Sequence, residues 1–282
     1  MDQVEAQGRR PNLLSDLGLT VTAVGDELHG TGEVIPAMWV PGSTSLRISI
    51  LAAWTDTVLG LLAVRAIAPR VPVTLELDVD LVEEIRDVDT VYFVGRSLKV
   101  GKSVLVTSIE FHTREGDSLG VGHSLFMAAP DPGISMPAGN WAIDRFAARR
   151  GSLTEPFADA AGCTRPETGS AMLPCASHLL NSSKTLNGGL LGLVVEEAAL
   201  SADPNGRPLV SMQLHYLKPV RGGPAIATAI VRRCLGEVEV RDASTGALAI
   251  VATTRSLTGG ETEEREVRQP GEPLDEVTPV SI

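Results

Sequence analysis

The feature that most constrains the fold of this chain is a pattern that occurs twice, an apolar helix followed by a series of short strands. The first helix is predicted over about 46–67, where apolar residues recur at helical spacing on most sides. A helix that is apolar nearly all round is expected to be buried. Strands are predicted after it at 73–81, 89–98, 104–112 and 119–127. This half is therefore expected to pack one buried helix against an antiparallel sheet.

The second half repeats this order on a smaller scale. A shorter apolar helix is predicted at 190–200, followed by strands at 208–217, 225–232, 237–242 and 248–257. Asp56 corresponds to Glu196 in the helix, and segment 81–86 corresponds to 216–221 after the next strand. The period of roughly 140 residues is far longer than a solenoid repeat, so an internal duplication is the simplest explanation. The opening hairpin at 17–38 has hardly any visible counterpart.

These patterns predict five segments along the chain. An N-terminal segment at 1–14 precedes a first domain at 15–130, and a connector at 131–169 leads to a smaller second domain at 170–258. The connector is rich in Pro, Gly, Ala and Arg, with a candidate short helix at 141–149. The tail at 259–282 has seven acidic residues against two arginines and three prolines, so we expect it to be disordered.

Composition limits the partners and the compartment. The formal net charge of -11 disfavours contact with phosphate backbones, and aromatic residues, at 4%, are too few for base-stacking platforms. Three cysteines form no disulfide framework and no metal-binding pattern, which favours a reducing compartment and predicts no metal. The polar N-terminus and the lack of an apolar run of roughly 18 residues predict a cytoplasmic protein that does not cross a membrane.

Two segments carry a resemblance to a known family. Segment 179–189 contains a loop asparagine, Asn181, and then Asn187-Gly188-Gly189 in front of an apolar helix. Glu196 follows Asn187 by nine residues, and segment 51–60 resembles the same helix with Asp56. This arrangement resembles the hotdog thioesterases of the phenylacetate-pathway type, which have His-Gly-Gly at the helix start. The resemblance implies an α+β fold with two hotdog domains in one chain, each a curled antiparallel sheet around a central helix.

The resemblance also implies the chemistry of the site. In this family the two components of a site come from different domains, so Asp56 is expected to face Asn187, Gly188 and Gly189. The glycine amides at a helix start would hold the thioester oxygen as it becomes an oxyanion, and Asp56 would act as nucleophile or as base for water. The implied reaction is hydrolysis of an acyl-CoA thioester, with coenzyme A as part of the substrate and no other cofactor.

The second implied site departs from the family. It would pair Glu196 with Arg47-Ile48-Ser49, whose side chains restrict close approach of the backbone, so we expect this site to be inactive or repurposed. Of Glu196 and its neighbour Glu197, one is expected to face solvent. In the first site Asn187 replaces the histidine, and an amide cannot transfer protons near neutral pH.

Several alternatives remain open from the sequence. Asn181, Arg47, Lys218 and Arg221 are candidates for binding the substrate. Lys218 and Arg221 could hold the phosphates of coenzyme A, although a solvated strand face explains them equally well. Arg47 is also a candidate salt-bridge partner that could fill the cleft. A non-catalytic acyl-CoA or lipid-binding protein would tolerate Asn187. An enoyl-CoA hydratase or dehydratase would require an Asp and a His about five residues apart before the helix, and no such pair is found. His178, close to Asn181, is the histidine of most interest. A homodimer of chains is possible from the resemblance.

Overall fold

A computed structural model describes residues 12–130 and 153–257, together with residues 133, 135–137, 139, 143 and 146 between these ranges. Within these residues, eleven strands form a single sheet in which every pairing is antiparallel. The strands are β1 Leu19–Val24, β2 Glu27–Glu33, β3 Pro72–Leu81, β4 Thr90–Val100, β5 Val104–His112, β6 Ser118–Ala128, β7 Ser170–Leu173, β8 Leu209–Tyr216, β9 Ala225–Arg232, β10 Leu235–Asp242 and β11 Leu248–Ser256.

Helix α1, Ile48–Ile67, is the central element of the first half. Fifteen of its 20 residues are buried, because strands β3 to β6 and the second long helix surround it. Among the described residues it is the one helix long and apolar enough to span a membrane, but 72% of that stretch is buried inside the fold. Its apolar character is therefore explained by its place in the core.

The described part of the second half contains two helices. Helix α2, Phe157–Ala160, is a single turn whose Phe157 is fully buried, and helix α3, Gly188–Ala202, is the counterpart of α1. A short 3-10 turn precedes each long helix, at Pro36–Met38 and at Ser177–Leu179. Part of the predicted connector at 131–169 thus belongs to the core of the second half.

The strand order reveals a pseudo-twofold relation between the halves. The sheet runs β1-β2-β4-β5-β6-β3-β8-β11-β10-β9-β7, so the order outward from β3 is repeated outward from β8. The extra strand β1 at one edge makes the first half the larger. Strands β3 and β8 pair in the middle, where Asp78 lies opposite Gln213. Asp78 and Gln213 correspond to each other in the two halves, because they are separated by the same number of residues as segments 81–86 and 216–221. The pseudo-twofold axis therefore passes beside this pair.

The two long helices pack directly on each other beneath this central pair of strands. A Cβ atom at Gly189 would lie 2.7 Å from the Cα of Ala53 and 3.2 Å from the carbonyl oxygen of Ala52. No side chain fits into such a gap, so glycine at position 189 is required for the starting turn of α3 to reach the middle of α1. This contact brings residues of both halves to one place.

The predicted fold class is confirmed: an antiparallel sheet covers a central helix in each half. The predicted helix and strand limits differ from the observed ones by a few residues, as expected for boundaries read from pattern alone. The predicted helix at 141–149 falls mostly outside the described residues. The predicted tail at 259–282 lies entirely outside them.

Candidate active site at the contact of the two long helices

The start of helix α3 is defined by Asn187. Its side-chain oxygen Oδ1 accepts a hydrogen bond of 3.2 Å from the N–H of Leu190, which is the usual N-cap arrangement. The amide nitrogen Nδ2 of Asn187 donates to no group among the described residues and remains available to a ligand. The oxygen of Asn187 is therefore used for folding, and only its amide group is free for binding.

Asp56 of the first half contacts this helix start. Its Oδ2 accepts a hydrogen bond of 3.0 Å from the N–H of Gly189. A Cβ atom at Gly188 would lie 3.3 Å from both carboxylate oxygens of Asp56, so glycine leaves the carboxylate uncovered on this side. The structure thus brings together Asp56, Asn187, Gly188 and Gly189, which the sequence had assigned to one site.

Thr74 is a third polar group at Asp56. The pairing of β3 with β6 shifts between Thr74 and Glu76, so the strand contains a β-bulge at this point. Because Leu77 and Val79 face the core, strict alternation would point Thr74 outward, and the bulge turns it inward. The Thr74 hydroxyl donates a hydrogen bond of 3.1 Å to Asp56 Oδ1.

The environment of Asp56 favours its neutral form. Burial among apolar residues of α1 raises the pKa of the Asp56 carboxyl above its ordinary value, and the hydrogen bonds from Gly189 and Thr74 only partly counteract this. The side chain retains partial access to solvent. Asp56 also forms no ion pair with a cation among the residues that the structure describes. A buried, unpaired carboxylate of this kind is a more basic group than an exposed one.

The N–H groups at the helix start are not equivalent. The N–H of Gly189 is occupied by Asp56, whereas the N–H of Gly188 has no partner among the described residues. Of the two glycine amides that were assigned to an oxyanion, one is thus occupied by the Asp56 carboxylate in this structure. The Gly188 N–H remains as the free backbone donor next to the carboxylate.

A closed network occupies the position related to this site by the pseudo-twofold axis. Glu196 accepts hydrogen bonds from the N–H of Ile48 at 3.0 Å, from the Ser49 hydroxyl at 2.5 Å and from Arg47 at 2.9 Å. Arg47 also contacts a carboxylate oxygen of Glu197 at 2.7 Å. Arg47 is 1% exposed, Glu196 0% and Glu197 5%. Every ligand-facing position of this second site is filled by the protein itself.

This network corrects one expectation and bears on two predicted roles. The Arg47 guanidinium, a candidate for binding substrate, is enclosed between two carboxylates and is not exposed to a ligand. Glu196 has no open side from which it could act on a ligand. Glu197 does not face solvent, since Arg165 also contacts it at 2.6 Å. Burial alone would lower the pKa of Arg47, but the charges of Glu196 and Glu197 outweigh it and raise the pKa.

The remaining polar residues of the first site have apolar counterparts in the second. Leu209 occupies the position in β8 that Thr74 occupies in β3, since the pairing of β8 with β11 contains a matching irregularity. Leu81 corresponds to Tyr216, whose phenol donates a hydrogen bond of 2.8 Å to the carbonyl oxygen of Gly188. Polar groups around the acidic residue are thus concentrated in one of the two sites.

The other predicted binding residues have different surroundings. Both polar groups of Asn181 are used within its loop: the oxygen accepts from the N–H groups of Ser183 and Thr185, and the amide donates to the Thr185 hydroxyl. Asn181 therefore shapes the loop, and its predicted role in substrate binding gains no support from these contacts. Lys218 and Arg221 are exposed, and the neighbouring Val220 carbonyl accepts from Leu186 just before α3. They flank the loop that enters the site.

Other candidate groups lie elsewhere or are unreactive. An Asp78–His123 pair, 2.9 Å apart, sits on the face of the sheet opposite the helices, so it gives no support to a hydratase at the helix contact. Burial, with a contribution from Glu197, raises the pKa of the Cys163 thiol to about 12 and keeps it protonated. The described part of the chain contains no group of His, Cys, Asp and Glu suited to a metal ion. The buried Nε2 of His178 has no partner there.

Sequence patterns did not reveal Thr74 or Tyr216. Thr74 faces inward because of the bulge, which breaks the alternation that a sequence pattern would follow. Tyr216 sits at the end of a strand, where aromatic residues are common for structural reasons. A comparison of the two halves would have provided one clue, since a hydroxyl stands opposite leucine at both positions.

Comparisons with known proteins agree with this architecture. Residues 49–119 match the family model described as Thioesterase superfamily. A comparison with curated protein sequences gives no match. The fold is similar to the 12:0-ACP thioesterase from Umbellularia californica, with a TM-score of 0.60 and 13% identity over 84% of this chain and 100% of that one.

Two further solved structures are similar along nearly their whole length. An acyl-ACP thioesterase from Bacteroides thetaiotaomicron has a TM-score of 0.56 and 13% identity over 82% of this chain and 97% of that one. The tesB protein from Mycobacterium avium subs paratuberculosis has a TM-score of 0.58 and 13% identity over 88% of this chain and 98% of that one.

The solved structures and the family match agree on the fold of this protein. It is a tandem hotdog fold whose first half matches the thioesterase superfamily model, and the resemblance inferred from sequence is confirmed. The matched segment begins within helix α1 and ends in β6, so it includes Asp56 and Thr74 of the candidate site.

Proposed function

We propose that this protein hydrolyses acyl-CoA thioesters at one site, between the start of α3 and the middle of α1. The observation that carries the proposal is the position of Asp56, 3.0 Å from the Gly189 N–H and beside the free N–H of Gly188. A carboxylate with raised basicity next to an unused backbone donor is the combination that acyl transfer requires.

The proposed roles follow from the geometry. The Gly188 N–H and the free amide of Asn187 would bind the thioester carbonyl oxygen, and one such donor contributes about 3 kcal/mol to an oxyanion transition state. Asp56 either removes a proton from the attacking water or attacks the carbonyl carbon itself. In the first route the tetrahedral intermediate breaks its C–S bond, and the proton held by Asp56 passes to the leaving sulfur. In the second route the C–S bond breaks to release coenzyme A as a thiolate and leaves an acyl anhydride on Asp56. Water then hydrolyses this anhydride, which restores the carboxylate, and the proton released goes to the thiolate.

The surface charge differs between the entrances, or mouths, of the two sites, and this difference supports binding of coenzyme A at the first site. Lys218 and Arg221 flank the loop before α3 with exposed side chains. At the corresponding place in the first half, Lys218 and Pro219 are replaced by Glu83 and Glu84, which line an open groove of about 390 Å³ with Arg86. Phosphate groups are expected to bind at the cationic mouth and to be repelled from the acidic one.

The compartment, the cofactor requirement and the oligomeric state are part of the same proposal. Cys163, Cys175 and Cys234 are free thiols, which fits a reducing cytoplasm. No cofactor is invoked beyond the coenzyme A of the substrate. The two halves already form a dimer-like unit, and we propose that chains associate further into homodimers, as the family resemblance implies.

The test is a thiol-release assay across acyl-CoA substrates with short, long, branched and aromatic acyl groups. We expect the parent to release coenzyme A from at least one of them, and Asp56→Asn to lose about 10²–10⁴-fold in rate. Asp78→Asn is the matched control, because burial also raises the pKa of Asp78 but its side chain lies on the opposite face of the sheet.

Two results would reject the proposal. If folded Asp56→Asn hydrolysed the best substrate at the parental rate, the site would be wrongly assigned. If the parent released no thiol yet bound an acyl-CoA, the protein would be a binding protein that retains the cleft. Hydration of an enoyl-CoA without thiol release would instead indicate the hydratase alternative.

A further inference from the structure

Tyr216 reaches the candidate site through the backbone. Its phenol donates a hydrogen bond of 2.8 Å to the carbonyl oxygen of Gly188. That carbonyl belongs to the same peptide unit as the N–H of Gly189, which donates to Asp56 Oδ2 at 3.0 Å. A phenol, a peptide unit and a carboxylate are thus connected in series.

This series has an electronic consequence. The peptide unit is conjugated, so a donor at its oxygen withdraws electron density and makes its N–H a stronger donor. We propose that Tyr216 is a positioning residue, which fixes and polarises the Gly188–Gly189 peptide so that the Gly189 N–H stabilises the ionised carboxylate of Asp56. The inference rests on the proposed function, because it assigns a role to Tyr216 in the same site.

Asp56 depends on neutral donors in a way that Glu196 does not. Among the described residues its partners are the Thr74 hydroxyl and the Gly189 N–H, with no cation. At the second site Arg47 supplies the charge, and Leu81, the counterpart of Tyr216, has no hydroxyl. The phenol is therefore present at the site whose carboxylate lacks a cation.

Tyr216 is suited to act as a permanent donor. Burial raises the pKa of its phenol well above the ordinary value, and the nearby charge of Asp56 raises it further. The hydroxyl consequently keeps its proton throughout the neutral range, so the direction of the hydrogen bond to Gly188 does not reverse as pH changes.

The kinetic test compares Tyr216→Phe with Tyr92→Phe. The chain has two tyrosines, and Tyr92 stacks on His112 away from the helix contact. We expect Tyr216→Phe to lower kcat by about five- to tenfold with little change in KM. We also expect the acid limb of its pH–rate profile to move to higher pH, because a less stabilised carboxylate holds its proton longer. Tyr92→Phe should match the parent in each respect.

A second measurement needs no substrate. In the free protein, NMR should show the Gly189 amide proton moving upfield in Tyr216→Phe, and the Asp56 carboxyl titrating at higher pH than in the parent. If the parent hydrolyses no thioester but these changes occur, the proposed function fails and the role of Tyr216 in holding the carboxylate stands. Unchanged Gly189 and Asp56 signals in a folded Tyr216→Phe would reject the role of Tyr216.

Fluorination provides the opposite perturbation and preserves the fold if Tyr216→Phe proves unstable. In Tyr92→Phe protein grown with 3-fluorotyrosine, Tyr216 is the one tyrosine that remains, and its phenol is a stronger donor. The Gly189 amide proton should move downfield and the Asp56 titration to lower pH. A shift of either signal in the same direction as in Tyr216→Phe, or no shift, would overturn the proposal.

Discussion

Asp56 and Glu196 occupy matching positions on two related helices, and their surroundings differ completely. Each accepts a hydrogen bond from an N–H at the start of the opposite helix, at 3.0 Å in both cases. Glu196 is neutralised by Arg47 and has no exposed surface. Asp56 has only neutral donors and retains some contact with solvent. The first arrangement favours a fixed ion pair, whereas the second leaves a carboxylate that a substrate can reach.

Asp56→Asn should lose most of its activity and yet be more stable than the parent at neutral pH. The pKa of Asp56 is raised in the folded protein, so the parent loses stability as pH rises from the ordinary Asp pKa through the raised one. Asparagine keeps the shape of the side chain without the buried charge. Unfolding in urea should show an advantage for the variant at pH 7–8 that disappears at acid pH. A variant less stable than the parent at pH 8 would contradict this.

Arg47→Met should destabilise the fold strongly. It leaves Glu196 and Glu197 buried without the cation between them, and breaking a buried pair in this way costs about 3–5 kcal/mol. The exposed Arg232–Glu237 pair provides the control, since Arg232→Met should change the free energy of unfolding by less than about 1 kcal/mol. Equal effects of the two substitutions in a denaturant titration would show that the network contributes little.

At the scale of elements, the contact between α1 and α3 determines where the site can form. The starting turn of α3 approaches the backbone of α1 so closely that position 189 has no room for a side chain. Each helix thereby places its first N–H groups beside the acidic residue of the other. The same packing that builds the core also assembles both sites.

Gly189→Ala should damage both stability and activity. Its Cβ would meet backbone atoms of Ala53, which cannot rotate away, so the helices must separate, at a cost of about 1–3 kcal/mol. Gly60→Ala in α1 is the matched control, because a Cβ there meets no atom within 4 Å. Alanine should stabilise that helix by roughly 0.5–1 kcal/mol. Thermal unfolding and thiol release of both variants measure the difference. A Gly189→Ala protein with parental stability would disprove the packing argument.

At the scale of the whole molecule, one continuous sheet joins two halves that have diverged in their sites. The pairing of β3 with β8 makes the sheet continuous across the pseudo-twofold axis. A symmetric pair of hotdog domains would contain two equal sites. Here Leu209, Leu81 and the Arg47 network replace the polar and open features of one of them.

This asymmetry predicts one ligand per chain. Calorimetric titration with a non-hydrolysable acyl-CoA analogue should give a stoichiometry near one, because the second site is filled by protein side chains. A charge reversal at the cationic mouth, Lys218→Glu with Arg221→Glu, should weaken binding. The same analogue should bind a Glu83→Lys variant with parental affinity. Two equal sites per chain would contradict the closure of the second site.

Association of whole chains is a separate prediction. Light scattering should give twice the mass of one 29.7 kDa chain if homodimers form. A clean monomer would reject this step and leave the fold and the site unaffected, because both components of the site belong to one chain.

The sequence by itself determined the features that are encoded locally. Apolar spacing predicted the buried helices and the strands. The resemblance to the hotdog thioesterases, carried by the spacing from Asn187 to Glu196 and the matching position of Asp56, indicated the two acidic residues and the glycine turn. These features depend on neighbours within a few helical turns. A sequence pattern can therefore reveal them.

Only the tertiary structure decided how these parts are used. The bond from Gly189 to Asp56 spans 133 positions and that from Arg47 to Glu196 spans 149, so both depend on how the helices pack and how the strands align. The inward turn of Thr74 depends on one bulge against β6. The enclosure of Arg47 depends on Glu197 facing the core as well. These contacts depend on packing across the whole molecule. They could not be predicted from the sequence, because a partner that is distant in sequence leaves no local pattern.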